Sequence, residues 1–304
     1  MIILTAIFPI FALLFLGSLL KRFNITNDLF LKTSDKLVYF IFFPVMLFWK
    51  IGSSAPDKGV SFNLCTASIL AVVVAYLISL AAIRMFHISD FQAGTFSQAC
   101  YRFNSYIGMA IVMNTLGEQG IRYFGILIGF VIPIINVLAV STLIWYSGKK
   151  RSPGQHLKYL LKALISNPLI LGCAAGLLFS NLRFSFPVFI DNTFSLMTAA
   201  TMPLALISIG GSLTLTGLKH NTKFSFIASA LKLLILPAIG FFLLKTFLIT
   251  GTAFKAGMIF FALPTATSIY VLSAQLNSDT QLASAAIMLS TLLSFVSLSV
   301  ALLI

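Results

Sequence analysis

Long apolar stretches alternate with short polar connections along the whole chain of 304 residues. Each stretch is long enough for a helix to cross a hydrocarbon core about 30 Å thick. The pattern therefore predicts ten membrane-spanning helices, at residues 2–20, 35–51, 62–84, 91–116, 121–147, 158–180, 190–210, 223–248, 253–276 and 280–303.

Composition supports a bilayer as the solvent of this chain. Hydrophobic residues make up 59% of it, charged residues only 9%, and its mean hydropathy is +1.03. A soluble protein of this length could not bury so much apolar surface. The net charge of +13 comes from residues between the apolar stretches, and no basic polar domain is present. We therefore expect a lipid environment and no nucleic-acid partner.

The distribution of positive charge predicts the orientation in the cell (inner) membrane. The first apolar stretch has no charge before it and Lys21-Arg22 after it, which is the reverse of a secretory signal peptide. With the N-terminus outside, the outer connections carry four positive residues, namely Lys58, Arg122, Arg183 and Lys255. The inner connections then carry twelve, namely Lys21, Arg22, Lys32, Lys36, Arg84, Lys149, Lys150, Arg151, Lys158, Lys162, Lys219 and Lys223. This asymmetry predicts that both termini face outside.

The polar linker "GKKRSPGQH" divides the chain into two halves, 1–152 and 153–304, with five predicted spans each. Because five is odd, related halves would have opposite orientations. Gly17 and Pro44 are 27 residues apart, as are Gly176 and Pro203. Residues 91–114 also align without a gap with 254–277, at an offset of 163. The sequence therefore predicts an inverted repeat, which is typical of secondary transporters.

Two predicted spans contain polar residues near their middle. Span four contains "YRFNSYIG" and span nine contains "LPTATS". Pro264 cannot donate a backbone hydrogen bond, and backbone groups freed by a break need partners at membrane depth. We therefore expect both helices to be discontinuous. The N-terminus of a half-helix carries free N–H groups and partial positive charge, so two such ends would form an anion site.

The side chains expected around this site are Arg102, Asn104, Ser105, Thr265, Thr267 and Ser268. An alternative for Ser105 and Thr267 is that they only cap the broken helices. Arg102 could instead extend to the cytoplasmic edge. For Asn104 we expect contact with a ligand, because an amide at membrane depth is rarely only a packing residue.

These motifs resemble those of the auxin efflux carrier family. "RFNSYIG" is similar to the family's pattern in span four, and "ALPTATSIYVLSAQLNSDTQLASAAIMLSTLLSF" is similar to its last two spans. Many members have a proline two residues after Gly108, where this chain has Ala110. The break in span four would then depend on Gly108 and Asn104 alone.

The resemblance implies an all-α fold of ten helices in a 5+5 inverted repeat, with helices four and nine broken and crossing. Helices 1, 2, 6 and 7 would form a scaffold that dimerises, and helices 3–5 and 8–10 a moving transport unit. Known members export carboxylate anions, including indole acetate and malate- or malonate-like acids. The implied substrate-binding residues are Arg102, Asn104, Ser105, Tyr106, Gly108, Pro264, Thr265, Thr267, Ser268 and Tyr270.

Other classes of protein are less consistent with the sequence. All seven acidic residues lie at or outside span ends, so they provide no catalytic pair in the core. Cys65, Cys100 and Cys173 are isolated, and we expect no metal or cofactor. A sodium- or proton-coupled symporter of the bile-acid type, and a membrane ligand sensor, remain alternatives to an exporter.

Two further residues have local interpretations. Lys232 lies within predicted span eight and could pair with the substrate, but its long stem favours extension of the amine to the membrane surface. Ser278 and Gln281 have the spacing of a capping box for span ten, with Asp279 favouring the same helix N-terminus.

Overall fold

The computed structural model describes residues 2–53, 58–147, 166–182, 184–213 and 218–304, and all regular elements in these ranges are helical. The linker "GKKRSPGQH" and the start of predicted span six lie outside the described residues. The α-helices are α1 (Ile2–Arg22), α2 (Asp28–Leu37), α3 (Phe43–Gly52), α4 (Lys58–Met85), α5 (Asp90–Ala99), α6 (Ser105–Thr115), α7 (Gly117–Tyr146), α8 (Pro168–Leu182), α9 (Val188–Ser212), α10 (Leu218–Ala230), α11 (Leu236–Thr246), α12 (Gly251–Ala262), α13 (Ser268–Gln275) and α14 (Thr280–Leu303).

Helix length and composition identify a helical membrane protein. Six helical segments of the described chain are long and apolar enough to cross a bilayer, namely Thr5–Arg22, Val60–Met85, Gly117–Tyr146, Val188–Ser212, Thr222–Thr246 and Thr280–Leu303. Pro168–Leu182 and Gly251–Ala262 are apolar but shorter. The exposed side chains include many large hydrophobic ones, such as Phe15, Phe189 and Leu196, which suit a lipid-facing surface.

Two π-helical turns join consecutive helices into longer rods. Val38–Phe42 connects α2 to α3, and Leu231–Ile235 connects α10 to α11. A proline follows each turn at the second residue of the next helix, Pro44 in one case and Pro237 in the other. Since a proline ring removes one hydrogen bond and crowds the preceding turn, the wider π turn accommodates it. Each π turn also carries a polar side chain close to the site described below.

Glycine allows two pairs of helices to approach closely. A Cβ atom at Gly17 of α1 would overlap the carbonyl oxygen of Ile207 in α9, and one at Gly210 would overlap that of Leu14. In the second pair, a Cβ at Gly172 of α8 would lie 2.6 Å from the Pro44 carbonyl oxygen of α3. Small residues at such contacts allow close backbone packing. This packing drives helix association in lipid, because no hydrophobic force acts between helices there.

We expect Gly210→Leu to destabilise the α1–α9 contact, because the new side chain would meet backbone rather than a movable side chain. Overpacking of this kind costs about 1–3 kcal/mol. The measurement is thermal unfolding of the purified protein in detergent. Leu196→Val, on the same helix at a side chain that is 75% exposed, is the control and should unfold at the wild-type temperature. Equal melting of Gly210→Leu and wild type would contradict the close contact.

Candidate functional site

Two interruptions divide α5 from α6 and α12 from α13. The first lies between Ala99 and Ser105, and the second between Ala262 and Ser268. The backbone at Asn104 and at Leu263 is extended, with ψ angles of 100° and 148°. Ala262 follows Ala99 by 163 residues, and Ser268 follows Ser105 by the same number, which is the offset found in the sequence. The two segments expected to be discontinuous are therefore interrupted at corresponding positions.

The two interruptions contact each other through backbone and side chains. The Asn104 amide N–H donates to the Pro264 carbonyl oxygen at 2.9 Å. The Thr265 hydroxyl donates to the Ala99 carbonyl oxygen at 2.8 Å. Across the same contact, Arg102 Nη2 donates to Ser268 Oγ at 3.2 Å. Residues separated by more than 150 positions in the chain thus form one polar region, which is buried at Asn104 and Thr265 and exposed at Ser268.

Asn104 is a helix cap whose side-chain nitrogen stays unpaired within the described chain. Its side-chain oxygen accepts hydrogen bonds from the backbone N–H groups of Tyr106 and Ile107, at 3.1 and 3.2 Å, and so caps α6. The residue is 2% exposed, and its Nδ2 has no hydrogen-bond partner among the described residues. Asn104 is therefore a helix cap that also retains free donors. The sequence had indicated ligand contact for this amide, but not that it would be the cap itself.

Arg102 is buried, with 9% of its surface exposed, so it does not extend to the membrane edge. One guanidinium nitrogen bonds Ser268, whereas Nη1 has no partner among the described residues. Tyr39, from the π turn Val38–Phe42, lies near Arg102. A buried cation is costly unless it is paired, and guanidinium donors match a carboxylate geometrically. The arrangement therefore suits a bound carboxylate.

The other predicted residues take different positions. Ser105 is 8% exposed, and its hydroxyl makes no hydrogen bond within the described chain, whereas Thr267 is half-buried and does not cap α13. The Tyr106 ring packs against the Phe43 ring at 4.9 Å between centroids, which places it toward the start of α3. Tyr270 is 47% exposed and contacts no other ring of the described residues.

Gly108 does not form the break, because it lies inside α6, one turn after Asn104. A Cβ atom there would overlap the Phe124 ring of α7 and lie 2.6 Å from the Leu263 side chain. Gly108 therefore allows α6 to pack against α7 and the second interruption. The prediction that the break depends on Gly108 was wrong, and the cap at Asn104 supplies the local reason for the helix start.

The carbonyl groups freed at the end of α12 have side-chain partners. Lys232 Nζ donates to the Phe261 carbonyl oxygen at 2.9 Å, and the Ser297 hydroxyl donates to that of Ala262 at 2.8 Å. Lys232 is fully buried, so the interpretation that its amine reaches the membrane surface was wrong. The sequence did contain a signal for this buried position, because Lys232 is a charged residue in the middle of an apolar span, five residues before Pro237.

A buried polar cluster holds α5 against α13 and the start of α14. The Thr95 hydroxyl lies 2.7 Å from that of Ser273 and 2.9 Å from that of Ser278, which itself donates to the Phe91 carbonyl oxygen at 2.7 Å. Asp279 caps α14, accepting from the N–H groups of Gln281 and Leu282 at 2.9 Å. The predicted capping box was therefore wrong by one residue, because Ser278 is bonded to α5 instead.

Interrupted helices that meet in a polar region of an apolar helix bundle are typical of membrane transporters. A family model described as membrane transport protein matches residues 2–302, so the chain belongs to this family, that of the auxin efflux carriers. No group of metal-ligating side chains occurs among the described residues.

The chain is similar over nearly its whole length to two curated proteins. It is 23% identical over 300 residues to an uncharacterized transporter of Methanocaldococcus jannaschii, covering 97% of this chain and 96% of that protein. It is 24% identical over 298 residues to a protein of Rhizobium meliloti named "Putative malonate transporter", covering 95% of this chain and 91% of that protein. The chain is thus a multi-pass membrane transporter of this family.

Proposed function

We propose that this transporter is a carrier that exports a small organic carboxylate anion by an elevator-like alternating-access movement. The observation that carries the proposal is the pair of buried donors in the first interruption. Arg102 Nη1 and Asn104 Nδ2 both lack hydrogen-bond partners in the described chain, and they belong to residues only two positions apart. Buried donors without partners are costly, so a bound carboxylate would stabilise them.

The N-terminal ends of α6 and α13 add to the attraction for an anion. Ser105 and Ser268 begin these helices, and Arg102 bonds Ser268 directly. The partial positive charge at both helix ends would therefore act on the same region as the guanidinium. No acidic residue lies in either interruption, so nothing there opposes a negative ligand.

Reciprocal glycine contacts support the inverted repeat and the scaffold. Gly17 faces Ile207, four residues after Pro203, and Gly176 faces Phe48, four residues after Pro44, with 3.0 Å from its ideal Cβ to the Phe48 carbonyl oxygen. Such reciprocity is expected if residues 1–152 and 153–304 are related by a pseudo-two-fold axis. The close pairs α1–α9 and α3–α8 would then form the rigid scaffold, against which α4–α7 and α10–α14 would move. We further propose that the scaffold mediates homodimerisation and that both termini face outside.

Malonate is the first substrate to test, because the Rhizobium meliloti relative is named for it. The assay is uptake of labelled malonate by proteoliposomes, with unlabelled monocarboxylates and the neutral malonamide as competitors. Carboxylates should compete and malonamide should not. Loss of one charge-assisted hydrogen-bonding partner costs about 1.5–3 kcal/mol, so Arg102→Gln should reduce transport at low substrate by about ten- to a hundredfold.

Arg84→Gln is the matched control, because Arg84 is exposed at the end of α4 and lies outside the interruptions. It should transport at the wild-type rate. Uptake by folded Arg102→Gln at the rate of Arg84→Gln would contradict the proposed site. Saturable binding of an anion without any flux would favour the membrane ligand sensor, and sodium-dependent uptake would favour the bile-acid-type symporter.

A further inference from the structure

The amine of Lys232 lies inside the helix bundle. None of its surface is exposed, and it lies in the π-helical turn Leu231–Ile235. The ion pairs of the described residues join Lys21 to Asp28 and Lys50 to Glu118, so neither involves Lys232. Its hydrogen-bond acceptor is instead a backbone carbonyl oxygen, that of Phe261, at 2.9 Å.

The position of this amine is next to the C-terminal ends of two helices. Phe261 is the penultimate residue of α12, and Cys100, which directly follows α5, lies near Lys232. Helix C-termini carry partial negative charge, and the ends of α5 and α12 meet where Thr265 bonds Ala99. In carriers with discontinuous helices, such ends and the unwound carbonyl groups hold the coupling cation.

A hydrogen bond to a carbonyl group does not require a lysine at this place. Ser297 satisfies the neighbouring carbonyl of Ala262 with a neutral hydroxyl, at 2.8 Å. An ammonium group at membrane depth is costly, and such residues mark functional positions in membrane proteins. Lys232 differs from Ser297 in having an amine that can carry a positive charge.

We propose that the ammonium group of Lys232 is a tethered cation, which takes the place of a coupling sodium ion at the C-terminal ends of α5 and α12. The transporter then needs no sodium for the interruptions to adopt their arrangement. This inference goes beyond the proposed export of an anion, and it does not depend on which anion is carried.

The first test needs no substrate. Thermal unfolding of the detergent-purified protein is followed in sodium, potassium and N-methylglucamine chloride at equal ionic strength. The wild-type Tm should be the same in all three. Lys232→Ala should melt earlier, and methylammonium or sodium should raise its Tm by several degrees relative to N-methylglucamine, because a small cation can enter the space that the side chain leaves.

Lys245→Ala is the matched control, since Lys245 is exposed near the C-terminus of α11. Its Tm should not depend on the identity of the cation. A sodium-induced rise in the wild-type Tm would overturn the proposal, even if Lys232→Ala does not fold. A folded Lys232→Ala whose Tm is the same with all the cations would also overturn the proposal.

Transport supplies an independent measurement, with labelled malonate as the probe. Lys232→Met keeps the volume of the side chain without its charge, and its transport should fall about tenfold or more, whereas Lys232→Arg should retain a substantial part of the wild-type rate. Wild-type transport by Lys232→Met would overturn the proposal. If the wild-type protein does not transport malonate, the proposed substrate is wrong, whereas the melting experiment still decides the role of Lys232.

Discussion

Asn104→Ser should lose most of its anion transport while keeping the stability of the wild-type protein. The serine hydroxyl can still accept hydrogen bonds from the N–H groups of Tyr106 and Ile107, so the cap of α6 remains. The amide donors at Nδ2, which lack a partner in the described chain, are removed. Losing a hydrogen bond to a charged ligand costs about 1.5–3 kcal/mol, which corresponds to about a ten- to hundredfold fall in transport at low substrate.

Asn104→Ala should lose transport and stability together, because it removes the cap as well as the donors. Loss of an N-cap typically costs about 0.5–2 kcal/mol. The two substitutions therefore separate the role of the oxygen from that of the nitrogen. Uptake of labelled malonate and thermal unfolding in detergent, measured on the same preparations, are sufficient to compare them.

Asn167 provides a matched control on another helix. Its side-chain oxygen caps α8 in the same way, accepting from the N–H groups of Leu169 and Ile170 at 3.0 and 3.4 Å. Asn167 is also buried, with 8% of its surface exposed. Asn167→Ser should therefore leave both transport and stability close to wild type. Normal transport by a folded Asn104→Ser would remove this amide from the site.

Membrane potential should drive the export. No Asp, Glu or His lies in either interruption, so these segments contain none of the usual carriers of a coupled proton. A cytoplasm that is negative by 100 mV contributes about 2.3 kcal/mol to the expulsion of each negative charge. For a monoanion this supports a gradient of roughly fiftyfold, and for a dianion about three orders of magnitude. A uniporter would then need no other source of energy.

The experiment imposes the potential on proteoliposomes with potassium gradients and valinomycin. Malonate flux should be slow at zero potential and rise when the potential is stepped so that it pulls the anion across. Arg102→Gln serves as the transport-deficient control for leakage through the bilayer. Flux that ignores the potential but follows an imposed pH gradient would exclude this mechanism and favour proton coupling.

The sequence alone determined the helical membrane character and the location of both interruptions. Apolar stretches of sufficient length specify spanning helices, because every backbone hydrogen bond in lipid has to be made within the protein. Pro264 and the polar run from Arg102 to Ser105 interrupt a helix through local effects. The position of such a break can therefore be predicted from the sequence. The alignment of residues 91–114 with 254–277, at an offset of 163, also matches the ends of the first interruption to those of the second.

Only the tertiary structure decided what the polar side chains contact. Arg102 and Lys232 both have long stems, and the sequence permitted each to extend to the membrane surface. Their buried positions depend on acceptors from elsewhere in the chain, Ser268 for one and the Phe261 carbonyl for the other. Likewise, Gly108 lies at a packing contact with Phe124, a residue of another helix, rather than at the break. Helical spacing defines which residues share a face, whereas the partner of that face depends on how distant helices pack.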